Sequence, residues 1–268
     1  MPGLSGREAR SFVNFAFGFF IAFSIFNLMD KIEEKLWDRV NKYRWVLQSV
    51  PFVKMICVCN NLSFGVVDDE SDIDLFVVAK KGRLFLARCF ITFFLNVLGV
   101  RRTGDKVAGM FCLSFFVDDS YLGLSRLAIK NDIYLAYWIS RLTPVVGRGG
   151  IDKFERKNRW ILPVLGVEDF RLDEEKLKKS GVFSFLVRKG IEISFFGPIG
   201  NLAEKIARRW QMKRARIKAG NLPSRAGTVI ARNMLKFHDD DRRLECRNAY
   251  FRKFGREFNE EKFVSLLK

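Results

Sequence analysis

The sequence predicts a mixed α/β fold, a small sheet with flanking helices and a mostly helical C-terminal region. Two short apolar runs, at 54–60 and 72–79, have the length and the β-branched content of buried strands. A long, largely apolar segment at 83–98 is typical of a buried helix. A third strand is expected at 110–117, so the predicted order is strand, turn, strand, helix, strand.

Composition indicates a folded chain with a substantial core. The protein has 268 residues, enough for one large domain or two small ones, and 49% of them are hydrophobic. Its five cysteines are odd in number and mostly lie in apolar surroundings, which favours reduced thiols in a cytoplasmic protein. The single histidine, His238, excludes a His-rich metal site.

The first 49 residues are predicted to form two helices of different character. Segment 12–29 is rich in Phe, carries no charge and just reaches the length that a membrane-spanning helix needs. We therefore expect either membrane association through 12–29, or burial of this segment in the core or in a partner interface. Segment 30–47 has apolar residues at three- and four-residue steps, which predicts an amphipathic helix that ends before Pro51.

Three regions follow from these patterns. They are an apolar helix plus an amphipathic helix at 1–49, an α/β core at 50–120 and a mostly helical region at 121–268. Within the last region the patterns predict a helix at 129–142 that Pro144 closes, further helices at 153–162, 182–218 and 241–254, and a short strand at 228–231.

The positive charge of the chain favours polyanionic partners. Lys and Arg number 47 against 30 Asp and Glu, a formal net charge of +17. Such a surplus attracts RNA, nucleotide phosphates or anionic lipid. The basic run at 205–218 surrounds Trp210 and is suited to an RNA backbone or a membrane surface, with a solvated helix as the alternative.

Two carboxylates in the second predicted strand are the candidate catalytic and metal-binding residues. Asp72 and Asp74 are two positions apart, so in a strand they point to one side while Ile73, Leu75 and Val77 point to the other. Neighbouring carboxylates repel each other unless a cation lies between them, and Mg²⁺ prefers carboxylate and phosphate oxygens. The pair therefore predicts a Mg²⁺ site of the kind that phosphoryl transfer uses. A solvated acidic strand end is the alternative.

The aspartates belong to a longer pattern. The run Asn60-Asn61-Leu62-Ser63-Phe64-Gly65 precedes Glu70-Ser71-Asp72-Ile73-Asp74-Leu75-Phe76-Val77-Val78. Together they resemble the signature of the polymerase-beta-like nucleotidyltransferase superfamily, which has Gly-Ser after one strand and Asp-x-Asp on the next. Weaker similarity to stand-alone bacterial proteins with this domain extends, with gaps, from about residue 50 onward.

The resemblance implies transfer of a nucleoside monophosphate from an NTP to an unidentified acceptor, with Mg²⁺ as cofactor. In that family the aspartates, here Asp72 and Asp74, bind the metal, and the Gly-Ser turn holds the triphosphate. Asn60 and Asn61 stand at the turn in this sequence, and Ser63 lies close by as a further donor. These three residues are therefore expected to contact the nucleotide.

Two basic residues complete the expected site, whereas the missing third carboxylate weakens the expectation of catalysis. Lys81 and Arg83 follow the second strand and are expected to neutralise triphosphate charge, with a solvated strand–helix junction as the alternative. The family usually has a third carboxylate on the third strand, where this sequence has Ser114, with Asp118 and Asp119 at the strand end as substitutes. Without that carboxylate a general base is missing. The alternative function is a catalytically decayed protein of the same fold that binds nucleotide or RNA through its basic surface.

Overall fold

A computed structural model describes residues 29–147, 149–220, 227–237 and 241–267. One mixed six-stranded sheet lies between two layers of helices, which confirms the predicted mixed α/β class. Most of segment 12–29 and His238 lie outside the described residues. Among the described residues, no helix combines the length and the apolar character that crossing a bilayer requires.

The sheet has the strand order β4-β1-β2-β3-β6-β5. Only β2 and β3 are parallel to each other; every other neighbouring pair is antiparallel. The strands are β1 (Val53–Cys59), β2 (Ile73–Ala79), β3 (Phe111–Asp118), β4 (Thr143–Gly147), β5 (Thr228–Ile230) and β6 (Met234–Phe237).

The helices connect these strands and cover both faces of the sheet. They are α1 (29–49), α2 (Asn61–Phe64), α3 (Leu84–Val97), α4 (Ile133–Ser140), α5 (Ile151–Lys157), α6 (Leu162–Leu165), α7 (Val182–Ser194), α8 (Gly197–Gly220), α9 (Arg243–Phe254) and α10 (Glu260–Leu267). Two short 3-10 helices lie at Leu124–Leu127 and Arg159–Ile161.

The alternation of side chains along β2 explains the two layers. Ile73, Leu75 and Val77 point into a core formed with α1, α3 and part of α8. Phe76 and Val78 point into a second core formed with α4, α5, α6, α9 and α10. Because both faces are covered, the central strands are apolar along nearly their whole length, as the sequence indicated.

The structure confirms the predicted strand-turn-strand-helix-strand order but adds strands from the region after residue 120. Pro144, expected to end a helix, lies inside β4, and β4 is an edge strand, where proline is tolerated. β6 was not predicted, whereas β5 matches the short strand expected at 228–231. The sheet therefore continues past the expected boundary at residue 120.

Two further predictions in the helical region were wrong in detail. The segment at 182–218, expected to be helical, is divided into two helices, α7 and α8, at Phe195 and Phe196 before Gly197, whose φ is +63°. The helix expected from residue 129 begins at Ile133, because Asp132 caps it by accepting a hydrogen bond from the amide N–H of Leu135.

Candidate functional site

The two aspartates lie side by side where β2 begins. Asp72 immediately precedes the strand, and Asp74 is its second residue. Asp74 pairs with Cys59 at the end of antiparallel β1 and with Cys112 near the start of parallel β3. Carboxylate oxygens of Asp72 and Asp74 and the Cys112 sulfur all lie within 4.8 Å of one another. The expected juxtaposition of the two carboxylates is therefore present.

Asp74 is the more enclosed of the two carboxylates. Its Oδ2 accepts a hydrogen bond from Asn60 Nδ2 at 2.7 Å, and its Oδ1 accepts one from Ser114 Oγ at 3.1 Å. Burial, and then repulsion by Asp72, raise the pKa of Asp74 to about 6, although the bonds from Asn60 and Ser114 act in the opposite direction. The Asp74 carboxyl group therefore keeps its proton to a higher pH than an exposed aspartate does.

Asn60 fixes the orientation of Asp74 from the end of β1. Its backbone has a φ of +57°, a conformation that Asn adopts more readily than most residues. Its Oδ1 accepts a hydrogen bond of 2.7 Å from Trp138 Nε1, so both ends of the amide are engaged. Trp138 is almost fully buried on α4, so a packed indole holds the Asn60 side chain in place.

The other two residues expected at the nucleotide differ in accessibility. Asn61 is exposed at the first position of α2. Ser63 is buried, and its hydroxyl donates to the backbone carbonyl of Asn60 at 3.0 Å. Ser63 therefore supports the turn from within, whereas Asn61 remains open to a ligand.

Cys112 and Ser114 occupy the part of β3 that faces the aspartates. Both residues are one strand away from Asp74, and both lie on its side of the sheet. Burial, reinforced by the charges of Asp74 and Asp72, raises the pKa of the Cys112 thiol well above its ordinary value. A protonated thiol and a hydroxyl thus face Asp74 from β3, the strand on which the sequence resemblance led us to expect a third carboxylate.

Asp118 and Asp119 do not replace that carboxylate. Asp118 pairs with Ala79 at the far end of β2, about 20 Å along β3 from Cys112 at the usual rise per residue. Its carboxylate accepts hydrogen bonds from the backbone and hydroxyl of Ser120. Asp119 accepts a bond from the backbone N–H of Lys81. The prediction that Asp118 or Asp119 takes the place of the third carboxylate is therefore wrong, because both lie too far from Asp72 and Asp74.

Lys81 and Arg83 also lie at the end of the sheet opposite the aspartates. They follow β2 after Ala79, again about 20 Å from Asp74 along the strand. The Arg83 guanidinium donates to Asn201 Oδ1 at 2.8 Å and lies over the Phe52 ring. The structure does not bring these two side chains to the carboxylate pair, and they form part of a different surface.

The cation that contacts the pair is Arg102, in the segment between α3 and β3. Its Nη1 lies 2.7 Å from Asp72 Oδ2 and 3.9 Å from the Cys112 sulfur. The Arg102 side chain is 46% exposed, so the ion pair is reached by solvent and is weak. An exposed guanidinium therefore neutralises Asp72 from one side, and the Asp74 carboxylate has no cationic partner among the described residues.

Three members of the site were not predicted from the sequence. Cys112, Trp138 and Arg102 were not among its candidate residues. A signal existed for Cys112, because Cys112 and Ser114 alternate on the strand expected to lie beside Asp74. No local signal pointed to Trp138, which is 78 positions from Asn60 in sequence.

The donor set fits Mg²⁺ in part. Two adjacent carboxylates are ligands that Mg²⁺ prefers, and the raised pKa of Asp74 indicates that a neighbouring cation would stabilise its charged form. The Cys112 thiol is a poor ligand for so hard a cation. Asp72 and Asp74 are thus the residues that would hold the metal, with Cys112 beside it rather than bound to it.

Comparison with known proteins adds no family assignment. No family model, curated protein or solved structure matches the chain.

Proposed function

We propose that the chain is a metal-dependent nucleotidyltransferase that binds an NTP at Asp72 and Asp74 and transfers its nucleoside monophosphate to an acceptor hydroxyl. The observation that carries the proposal is the carboxylate pair itself, with oxygens within 4.8 Å of each other and one pKa raised to about 6. Asp72 and Asp74 would hold a divalent cation, which would relieve this repulsion and supply the positive charge that phosphoryl transfer uses.

In this proposal the chain's residues position the reactants around the aspartates. The oxygen of the acceptor hydroxyl attacks the α-phosphorus, and the bond from that phosphorus to the oxygen leading to the β-phosphate breaks. Pyrophosphate leaves, and the hydroxyl proton passes to solvent. Asn60 keeps Asp74 directed towards the nucleotide, and exposed Asn61 donates to phosphate oxygens. Arg102 is exposed enough to turn from Asp72 to a phosphate when the cation binds.

Calorimetry with each NTP and Mg²⁺ tests this proposal. The wild type is expected to bind at least one NTP. The Asp72→Asn/Asp74→Asn variant is expected to lose more affinity than the roughly 10–100-fold that follows loss of an outer-shell metal partner. Asp69→Asn is the matched control, because Asp69 is an exposed carboxylate in the preceding loop, and it should bind like the wild type. Absence of Mg²⁺-dependent NTP binding by the wild type would refute the proposal.

A second candidate function is nucleotide binding without transfer. The observation that favours it is the presence of Cys112 and Ser114 where a third carboxylate would supply the general base. Pyrophosphate release separates the two functions once binding is established. If the wild type binds Mg²⁺–NTP but releases no pyrophosphate with water, RNA or protein hydroxyls as acceptors, the binding function is favoured. Release that disappears in the double aspartate variant favours transfer.

A further inference from the structure

Exposed apolar side chains are concentrated on α7 and α8. Most of the large hydrophobic residues that the described part of the chain exposes lie between 182 and 217, and the others are dispersed over α1, α3, α9 and one loop. Single exposed hydrophobics are ordinary, but a contiguous group on adjacent elements marks an interaction surface. This group is therefore a candidate contact surface rather than a set of isolated exceptions.

Helix α8 has apolar residues on its outer side as well as on its inner side. Its inner side packs on α3 and contains the buried residues Glu204, Ala207, Gln211 and Ala215. On the opposite side, residues recur at three-, four- and seven-residue steps and are each 55–67% exposed: Ile199, Leu202, Ile206, Trp210 and Ile217. These five residues are called the outer stripe below. Packing within the described residues does not account for the stripe.

The end of α7 extends the outer stripe. Ile193 and Phe196 are 73% and 81% exposed, and they line one cavity together with Asn201 and Lys205 of α8. Further towards its start, α7 also exposes Val182 and Leu186 at a four-residue step. The apolar surface therefore continues from α8 across the junction between the two helices.

Every charged side chain on the exposed side of these helices is basic. The only acidic residues between 182 and 220 are Glu192 and Glu204, and both are buried. Glu192 accepts a hydrogen bond from the backbone N–H of Phe52, and Glu204 accepts bonds from two amides at the start of α3. The exposed charges beside the outer stripe are Lys189, Lys205, Arg209, Arg214 and Arg216, and Lys213 lies on the side of the stripe itself, between Trp210 and Ile217.

A basic cavity opens beside the same junction. Its volume is about 1240 Å³, and its apolar wall consists of Phe52, Ile193, Phe195 and Phe196. Two carboxylates, Glu192 and Glu204, also line it, and Glu192 pairs with Lys80 and Lys189. The basic side chains in its wall come from the end of β2 and from both helices: Lys80, Lys81, Arg83, Lys189, Lys205 and Arg208. Lys81 and Arg83, which the carboxylate site does not use, thus belong to a cationic recess next to an exposed apolar surface.

We propose that the outer stripe and its extension on α7 bind the surface of an anionic lipid bilayer. An amphipathic helix with bulky apolar residues bordered by Lys and Arg lies in the plane of such a surface, with its apolar side among the acyl chains. The basic flanks face the headgroup phosphates, and the cavity is placed to accept one of them. Trp210, with Arg214 over its ring at 5.1 Å, has the amphipathic character of an interfacial anchor.

The combination of aliphatic and basic residues distinguishes a bilayer from other occupants. RNA would engage the cations but would leave Ile199, Leu202 and Ile206 in water. Segment 12–28 of the chain is apolar and uncharged, so it would cover the stripe but would not match the basic flanks. A bilayer with anionic headgroups satisfies both parts of the surface.

Co-sedimentation of the full chain with vesicles tests the proposal. Vesicles of phosphatidylcholine with one quarter phosphatidylglycerol are expected to bind the wild type, and added salt should weaken binding. Leu202→Asn/Ile206→Asn should reduce partitioning by about tenfold or more, because two exposed apolar side chains no longer enter the bilayer. Leu244→Asn changes a side chain of similar exposure on α9 and should bind like the wild type.

The basic flanks are tested in the same assay. Arg209→Gln/Lys213→Gln should lower the partition coefficient by roughly thirtyfold on anionic vesicles, since each of the two cations near such a surface contributes about 1 kcal/mol. Arg252→Gln/Arg256→Gln removes two exposed charges from the other side of the sheet and should have little effect. Equal binding of the two double variants would overturn the role of charge on α8.

Quenching of Trp210 by brominated lipid identifies the part of the chain that contacts the bilayer. The difference in emission between the wild type and Trp210→Phe is expected to fall when vesicles contain the brominated acyl chain. If the protein sediments with vesicles but Trp210 is not quenched, another segment makes the contact and the proposal is overturned. Failure to bind anionic vesicles, with binding to single-stranded RNA that depends on Arg209 and Lys213, would instead assign the surface to RNA.

Discussion

Asp74 is ionisable, enclosed and without a cationic partner among the described residues. Its pKa is raised from 3.8 to about 6 by burial and by the charge of Asp72. Since the folded protein holds this proton more tightly than the unfolded chain, the folded state is favoured at low pH. Stability from this group is lost as pH rises from about 4 to about 6, and above that range its charge opposes folding. The buried charge of Asp74 therefore costs stability at neutral pH rather than supplying it.

Asp74→Asn should therefore stabilise the metal-free protein at pH 7. An amide of the same shape can still accept the bond from Asn60 and can donate to the Ser114 hydroxyl. We expect a gain of about 1–2 kcal/mol in the free energy of unfolding, less than the full pKa shift implies because Asp72 and Asp74 are coupled. Urea unfolding in EDTA measures this change.

The pH dependence provides the internal control for that variant. The difference in unfolding free energy between Asp74→Asn and the wild type should increase between about pH 4 and pH 6 and then stay level. Asp69→Asn, at an exposed position, should show no such rise. A difference that is constant with pH would mean that the substitution acts through packing and that the Asp74 charge is not destabilising.

For individual residues, the sequence predicted correctly those side-chain orientations that depend only on neighbours a few positions away. The pairing of Asp72 with Asp74 follows from the two-residue period of a strand, and the opposite orientation of Ile73 and Leu75 follows equally. The contact between Trp138 and Asn60 was not predictable, because it depends on how α4 packs on the sheet. The involvement of Arg102 depends in the same way on the path of the segment before β3.

The first turn of helix α3 is capped by a side chain from helix α8. Its first residues have no capping side chain of their own, and Glu204 of α8 instead accepts hydrogen bonds from the N–H groups of Phe85 and Leu86, at 3.1 and 2.8 Å. Burial raises the pKa of Glu204, and the two backbone bonds act in the opposite direction. The start of α3 therefore depends on correct placement of α8.

Glu204→Ala should destabilise the protein by about 2–3 kcal/mol, because two buried N–H groups lose their acceptor at once. Denaturant unfolding measures the loss. Lys205→Ala, one residue further along the same helix but exposed, should change stability by less than about 0.5 kcal/mol. Similar small effects in both variants would show that α3 does not depend on Glu204.

The ends of helices and strands were predicted less accurately than their type. The periodic pattern at 182–218 continued through Phe195 and Phe196, so nothing in the apolar spacing revealed the break before Gly197. Pro144 indicated a helix end because proline disfavours both helix interiors and central strands, and its acceptance depends on β4 being at the edge of the sheet. Whether a strand lies at the edge depends on the assembled sheet, so the residues around Pro144 do not reveal it.

The whole molecule is organised around a sheet to which distant parts of the chain contribute. β4, β5 and β6 come from the region expected to be mostly helical, and β6 lies directly beside β3. Leu235 of β6 is fully buried in the same core as Leu75 and Phe85. We therefore expect the region at 50–120 and the strands that follow it to unfold together.

Leu235→Ala tests this cooperativity. Removal of a fully buried leucine side chain should cost about 2–5 kcal/mol. Hydrogen exchange of the β1 amides, such as those of Ile56 and Val58, should accelerate by the same free energy although these residues lie two strands away from β3. Leu244→Ala, at an exposed position on α9, should leave these rates unchanged. Unchanged β1 exchange in Leu235→Ala would show that the 50–120 region folds independently.

The pairing of β3 with β6 also has a consequence during translation. A ribosome completes β3, at Phe111–Asp118, well before it reaches β6, at Met234–Phe237. At synthesis rates of roughly 5–20 residues per second, the delay is on the order of ten seconds. During that interval the nascent chain presents one unpaired edge of an apolar strand, which makes it a substrate for ribosome-associated chaperones and vulnerable to aggregation between neighbouring nascent chains on one polysome.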